Sequence, residues 1–253
     1  MNLRPIISAL VISLCSLSAI AAPGKQEQRQ VTAQDVKDIM TKGTPEQLRK
    51  LITNGIEPNT RVMDDMPLLV MAAYTGRLEM VHTLLQHGAN PNIAQAPGIT
   101  ALSVAAATNN VHMLDLLISH GADINYRADQ GDSILMLACS QNALDTVQVL
   151  LALKADPNIA DRNGVTPLIY AVARSKEPGV ISRMLLEHGA NPNASMRDGT
   201  TALIAAALRN DADCTSLLLS YGADASARDA DGDCALDLAK TPEVRQLLIN
   251  AGK

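Results

Sequence analysis

The chain of 253 residues carries 21 basic and 26 acidic side chains, a formal net charge of -5, and 47% hydrophobic residues. That length allows one large or two small globular units, and the mild acidity gives no support to a nucleic-acid binder. Trp and Phe are absent and Tyr occurs four times, so the core lacks the usual aromatic filler and suits Ala- and Leu-rich helices packed in thin layers.

Residues 1–21 have one early Arg, an apolar run from Ile6 to Leu17, and small residues ending in Ala19-Ile20-Ala21. This is the pattern of a secretory signal peptide, with the cut expected after Ala21 because a cut one residue later would meet Pro23. A retained membrane anchor is the alternative, but the run is short against the roughly 20 apolar residues of a span. Leu14 is bulky where a lipoprotein Cys15 would want a small neighbour. Residues 22–30 form a polar linker. The mature chain is therefore expected to be exported, periplasmic or secreted, and free of the membrane.

From Val31 onward one phrase recurs: LITNGIEPN ending at Asn59, LLQHGANPN at Asn92, LISHGADIN at Asn125, LLALKADPN at Asn158, LLEHGANPN at Asn193 and LLSYGADAS at Ser226. The steps are 33, 33, 33, 35 and 33 residues. A second phrase keeps phase with it: APGITALSVAAA from Ala96, DQGDSILMLACS from Asp129, RNGVTPLIYAVA from Arg162, RDGTTALIAAAL from Arg197 and ADGDCALDLA from Ala230. Self-similarity at a fixed period of this length marks a repeat array.

Each copy reads as two short helices. In TPLIYAVA, Thr166 can cap the first helix and Pro167 suits its first position, where the missing N–H is harmless. In MVHTLLQHG the apolar spacing is helical, and Gly88 ends the helix by adopting the left-handed conformation cheaply. Neither helix can bury its apolar face alone, so the copies must stack into a solenoid. The boundaries are an N-terminal cap at 31–61, copies at 62–94, 95–127, 128–160, 161–195 and 196–228, and a C-terminal cap at 229–253. The fourth copy holds two extra residues within Ser175 to Gly179.

Over residues 31–253 this pattern resembles the ankyrin repeat, whose phrase is roughly D-x-x-G-x-T-P-L-H-x-A-A, a second helix ending in L-L, then G-A-D-x-N. The resemblance implies an all-α solenoid of helix-turn-helix units with β-hairpin-like connecting loops, working as a noncatalytic protein-binding module. The family's His is missing throughout, its place taken by Val70, Ser103, Met136, Ile169, Ile204 and Asp237. Apolar packing is expected to replace its hydrogen bond.

Several features imitate chemistry. His87, His120 and His188 share one position before the helix-ending residue, and copies about 10 Å apart cannot place two of those rings on one zinc at about 2 Å each. They are expected to meet free helix-end carbonyls instead. Asp229 to Asp233 imitates a calcium loop, but the first ligand would fall on Ala227 and the closing acid on Leu238. Cys139, Cys214 and Cys234 are odd in number and lack C-x-x-C spacing, so buried free thiols are expected, with a redox role as the alternative. Asn193-Ala194-Ser195 is a glycosylation sequon only in a eukaryotic secretory pathway. No H-E-x-x-H, G-x-S-x-G, Walker loop or G-x-G-x-x-G occurs. No enzyme activity, cofactor, metal or small-molecule substrate is expected, and the chain is expected to be a monomer.

If the shared residues build the solenoid, partner choice lies in what is not shared. The resemblance implies binding through hairpin tips and the exposed side of the first helices. There the first copies offer Met63, Asp64, Met66, Tyr74 and Ile99; the middle offers Tyr126, Arg127, Asp129, Gln130 and Asp132; the later copies offer Arg162, Arg174, Arg197, Arg209 and Arg228. The partner expected is a protein with an apolar anchor at one end and an acidic stretch at the other; arginines paired with neighbouring aspartates are the plainer alternative. By resemblance to exported bacterial relatives, the role would be assistance to a periplasmic enzyme or catalase-linked oxidative-stress defence. Alternatives are immunity against a toxin acting in the periplasm, or a secreted effector that binds host proteins. Lys154, standing where a helix-ending glycine belongs, marks a strained seam.

Overall fold

A computed structural model describes residues 31–175 and 178–252. The expected leader and linker, and Lys176 and Glu177 of the expected insertion, lie outside the described residues.

The described chain opens on α1 (Ala33–Lys42) and α2 (Pro45–Thr53). Thr32 and Thr44 cap them in reciprocal boxes with Asp35 and Gln47, each box satisfying two otherwise orphaned amides. The repeating unit follows as a hairpin and two antiparallel helices: α3 (Leu68–Tyr74) with α4 (Leu78–Gln86), α5 (Ala101–Ala107) with α6 (Val111–Ser119), and α7 (Ile134–Ser140) with α8 (Leu144–Ala152). Next come α9 (Pro167–Arg174) with α10 (Pro178–Glu187), α11 (Ala202–Leu208) with α12 (Ala212–Ser220), and α13 (Ala235–Leu238) with α14 (Pro242–Ala251). The hairpins are minimal. Strand β1 (Arg61–Val62) pairs antiparallel with β2 (Met66–Pro67), Val62 opposite Met66, and β3 (Ala94–Gln95) with β4 (Ile99–Thr100), Gln95 opposite Ile99. Among the described residues, no helix is long and apolar enough to cross a membrane.

The first helices form one row and the second helices another. Leu69, Leu102, Leu135, Leu168 and Leu203 hold one equivalent position, all fully buried, each contributing about 1.5–3 kcal/mol by leaving water. Small residues follow at the inner turn of each first helix: Ala72 and Ala73, Ala105 and Ala106, Ala138 and Cys139, Ala171 and Val172, Ala206 and Ala207. Without bulk there, the first helices approach one another more closely than the second helices do, and the stack is concave on the first-helix side.

The recurring H-G-A-N-P-N phrase also ties each copy to the next. Asn92 Oδ1 accepts from the amide of Asp123 (2.7 Å), Asn125 from Asp156 (2.9 Å), Asn158 from Asn191 (2.7 Å) and Asn193 from Asp224 (2.7 Å). The Nδ2 groups of Asn92, Asn158 and Asn193 donate to the carbonyls of Gly121, Gly189 and Gly222, each at 3.0 Å. One side chain thus satisfies a donor and an acceptor that the neighbouring turn leaves unpaired.

The tips stack as well, through main-chain bonds from Arg162 N to Gln130 O (3.2 Å), Arg197 N to Asn163 O (2.8 Å) and Ala230 N to Asp198 O (2.7 Å). Such proximity leaves no room for a Cβ: one added at Gly199 (φ +81°) would stand 2.9 Å from Arg228 O. The first tip differs. Asp65 takes the glycine place, and Met63, Asp64 and Asp65 are all left-handed with φ of 39°, 51° and 60°.

Lys154 has φ of 67° at the end of α8 and is exposed. A Cβ in that region costs about 1–2 kcal/mol, partly offset by glycine's freedom in the unfolded chain. Lys154→Gly is expected to raise the unfolding free energy by about 0.5–1 kcal/mol in urea titration. A fall in the midpoint would show that the lysine makes a compensating contact.

Candidate protein-binding face

The first helices are set by hydroxyl caps. Thr100, Ser133, Thr166 and Thr201 accept from the amides of Ser103 (3.1 Å), Met136 (3.2 Å), Ile169 (3.3 Å) and Ile204 (3.3 Å), and Pro167 opens α9. The missing family His is replaced in two ways. Val70, Met136, Ile169 and Ile204 are buried apolar packing. Ser103 and Asp237 correct that expectation: Thr100 N donates to Ser103 Oγ (3.0 Å) and Cys234 N to Asp237 Oδ2 (3.0 Å).

With the caps and core faces fixed, each first helix presents two outward positions on the concave side. Met71, Val104, Leu137, Tyr170, Ala205 and Leu238 hold one, almost covered at Met71, Val104 and Ala205 and partly exposed at the others. Tyr74, Ala107, Ser140, Ala173 and Leu208 hold the other, ending in Leu208 at 52% exposure. Sequence reasoning missed Leu137, Tyr170 and Leu208. The signal was a large apolar residue beside the small inner pair of each first helix, before it at Leu137 and Tyr170 and after it at Leu208, legible only once the helix direction is known.

The expected apolar end zone is smaller than anticipated. Met66 is 3% exposed and belongs to the core, because its strand pairs with Val62 and turns the side chain inward. Met63, Tyr74, Ile99 and Tyr126 are half-buried against the core. Burial raises the Tyr74 phenol, and burial followed by the Asp129 charge raises that of Tyr126. Asp64, Asp129 and Gln130 are exposed. Asp132 is partly buried, and its carboxyl is raised by that burial and then by Asp161 of the next hairpin.

The arginines divide into structural and free groups. Arg209 donates to Ala173 O (3.1 Å) and Ser175 O (3.3 Å), closing the end of α9 from the following copy. Arg77 does the same for α1, donating to Ile39 O and Met40 O, both at 3.2 Å. Arg127 donates to Ala160 O (2.6 Å). Arg228 donates to Gly232 O and pairs with Asp237 at 3.4 Å. The guanidiniums of Arg77 and Arg209 thus satisfy free carbonyls at the helix ends of the preceding copy, whereas those of Arg127 and Arg228 bond hairpin carbonyls. Arg174 lies over the Tyr170 ring at 5.5 Å, within cation–π range. Among the described residues, the side chains of Arg162 and Arg197 make no hydrogen bond or ion pair.

The histidines are helix ends. His87 Nδ1 meets Thr83 O (2.8 Å), His120 Nδ1 meets Leu116 O (2.9 Å) and His188 Nδ1 meets Met184 O (2.8 Å), four residues back in each case, as the sequence position implied. Asp229 Oδ1 accepts from the amides of Asp231 (3.1 Å) and Asp233 (2.9 Å), which makes DADGD a hairpin turn. Two shallow, open depressions lie between second helices. One of about 610 Å³ is flanked by Arg183, Asp213 and Ser216, and one of about 360 Å³ by Lys154, Glu187 and His188.

The described cysteines are free, Cys139 and Cys214 buried and Cys234 only partly covered, which corrects the expectation of three buried thiols. Burial pushes the Cys139 thiol up to about 12; burial, then Asp211, does the same for Cys214. Because the thiolate is the reactive form, Ellman's reagent at pH 8 should titrate one thiol in folded protein lacking residues 1–21, and three in denaturant. Rapid reaction of all three without denaturant would contradict the burial. A folded pKa above the unfolded value gives stability that is complete below about pH 8.5 and lost as pH rises toward 12.

Comparison with known proteins follows the same architecture. The family described as ankyrin repeats (3 copies) matches residues 39–128, 68–161 and 126–196, and that described as ankyrin repeats (many copies) matches residues 185–239. Among solved structures, the ankyrin repeat domain of Bcl-3, a member of the IkappaB protein family, is similar with a TM-score of 0.78 and 28% identity, covering 85% of this chain and 97% of that one. The ankyrin repeat domain of human ASB11 is similar with a TM-score of 0.71 and 26% identity, covering 85% and 96%. Compared by sequence with the curated proteins, the chain matches none.

Proposed function

Since the chain belongs to the ankyrin-repeat family, whose repeats form protein-interaction scaffolds, we propose that it is a noncatalytic, exported binding protein that holds another protein on its concave face and hairpin tips. The observation that carries this is the division of labour just described. Shared side chains are consumed by caps, ladders and core, while Leu137, Tyr170, Leu208, Arg162 and Arg197 differ between copies and face outward. Exposed residues that the scaffold does not need are the ones free to select a partner. Export rests on residues 1–21, and it places the partner in the bacterial periplasm or beyond it. Assistance to a periplasmic enzyme, including one of oxidative-stress defence, is the role this reading favours.

Affinity capture with protein lacking residues 1–21, from the cell envelope of its own organism, tests the proposal. A periplasmic enzyme retained through high-stringency washes and competed by untagged protein is the expected result. Recovery of the chain in the cytoplasm with its first residues intact would overturn the export. The absence of any competed partner would overturn the scaffold role.

A further inference from the structure

We infer that the concave face is built for one short acidic segment of the partner, carrying a bulky apolar side chain and docking on the fourth and fifth copies. The inference rests on the binding role proposed above and names the chemistry that its site selects.

Charge along the face is not uniform. From hairpin to the end of the first helix, the first copy has two aspartates to one arginine, the second has no charge, and the third has two aspartates to one arginine. The fourth has two arginines to one aspartate, the fifth one of each with its arginine at the exposed tip, and the C-terminal cap returns to four aspartates against one arginine. A basic island thus sits on an acidic protein, with acidic copies on both sides. Its two aspartates are turned into their own hairpins: Asp161 accepts from the amides of Asn163 and Val165, both at 2.8 Å, and Asp198 from Thr200 (3.0 Å). The guanidiniums of Arg162 and Arg197 are consequently left for a ligand.

Apolar surface lies on the first helices of the same copies. Tyr170 is partly exposed beneath Arg174. Leu137 precedes it in the same row, and Leu208 follows at 52% exposure. Arg162 and Arg197 occupy equivalent tip positions in adjacent copies, about 10 Å apart by helix spacing. In a polyproline-like strand, residues three apart face one way and are separated by about 9 Å. Two carboxylates at that interval match the arginines, and an apolar side chain between them is directed along the first helices toward Tyr170. A longer acidic tract would meet Asp129 and Asp132 at one end and Asp231 at the other. The flanking acids limit the length and so supply specificity by repulsion.

The test uses protein lacking residues 1–21 and a fluorescein-labelled peptide containing Glu-Leu-Ala-Glu, followed by fluorescence anisotropy. Saturable binding is expected, at least fivefold tighter than for peptides in which both Glu are Lys or the Leu is Ala. The double variant Arg162→Glu, Arg197→Glu should abolish it, whereas Arg183→Glu, an exposed charge change on the second-helix side, should leave it intact. Equal loss in the two variants, no preference for the acidic-apolar peptide, or no binding below about 1 mM would overturn the inference. Envelope capture with the double variant separates the two claims. A competed partner held equally by wild type and variant leaves the scaffold role standing and removes this docking site, while no competed partner with either removes the scaffold role.

Discussion

Gly199→Ala is expected to lower the unfolding free energy by about 2–4 kcal/mol, whereas Gly222→Ala should cost only about 1 kcal/mol. Both glycines have φ of +81°, so the backbone strain of adding a Cβ is the same. The surroundings differ. At Gly222 nothing lies within 4 Å of the new atom, but at Gly199 it would meet Arg228 O and Asp229 Cα at 2.9 Å. Those atoms are main chain of the next hairpin, which also donates the bond from Ala230 N to Asp198 O, so relief requires moving a whole tip. Chemical denaturation of the two variants measures the difference. Equal losses would mean that the hairpins do not stack as closely as described.

The second large effect is expected in the leucine column. Leu135→Ala, 1% exposed in the third copy, should destabilise by about 3–5 kcal/mol, the range for a buried leucine whose cavity cannot collapse. Its helix α7 packs between α5 and α9, so the cavity weakens two interfaces together. In a one-dimensional stack such a break uncouples the halves, and unfolding should separate into two transitions. Leu248→Ala removes an equally buried side chain, 2% exposed, from the last helix α14, which packs on α12 and α13. Fraying of that end should limit its loss to about 1–2 kcal/mol without a second transition. Two transitions in the Leu248 variant and one in the Leu135 variant would reverse the assignment.

The binding face shows where sequence reading reaches its limit. Arg209 and Arg228 looked like members of a basic zone alongside Arg162 and Arg197, because all four stand in or beside exposed phrases. Nothing local distinguishes them. Arg209 becomes scaffold only because the preceding copy brings the end of α9 within reach of its guanidinium. Reversing its charge would therefore disturb the stack rather than probe a partner. Met66 fails for a similar reason: in a strand of two residues, alternation cannot say which side is inward until the Val62 partner is fixed.

The amino-acid sequence by itself determined the period, the helix pairs, the cap at Thr166, the glycine turns and the helix-end role of the histidines. Each depends on residues within one copy, where local spacing and conformational preference are sufficient. Tertiary structure decided what passes between copies: the asparagine bridges, the stacked tips, the arginines spent on carbonyls and the apolar surface of Leu137, Tyr170 and Leu208. The physical reason is that a hydrogen-bond partner some 29 to 38 residues away is set by how two copies pack, and a 33-residue repeat states that packing only indirectly.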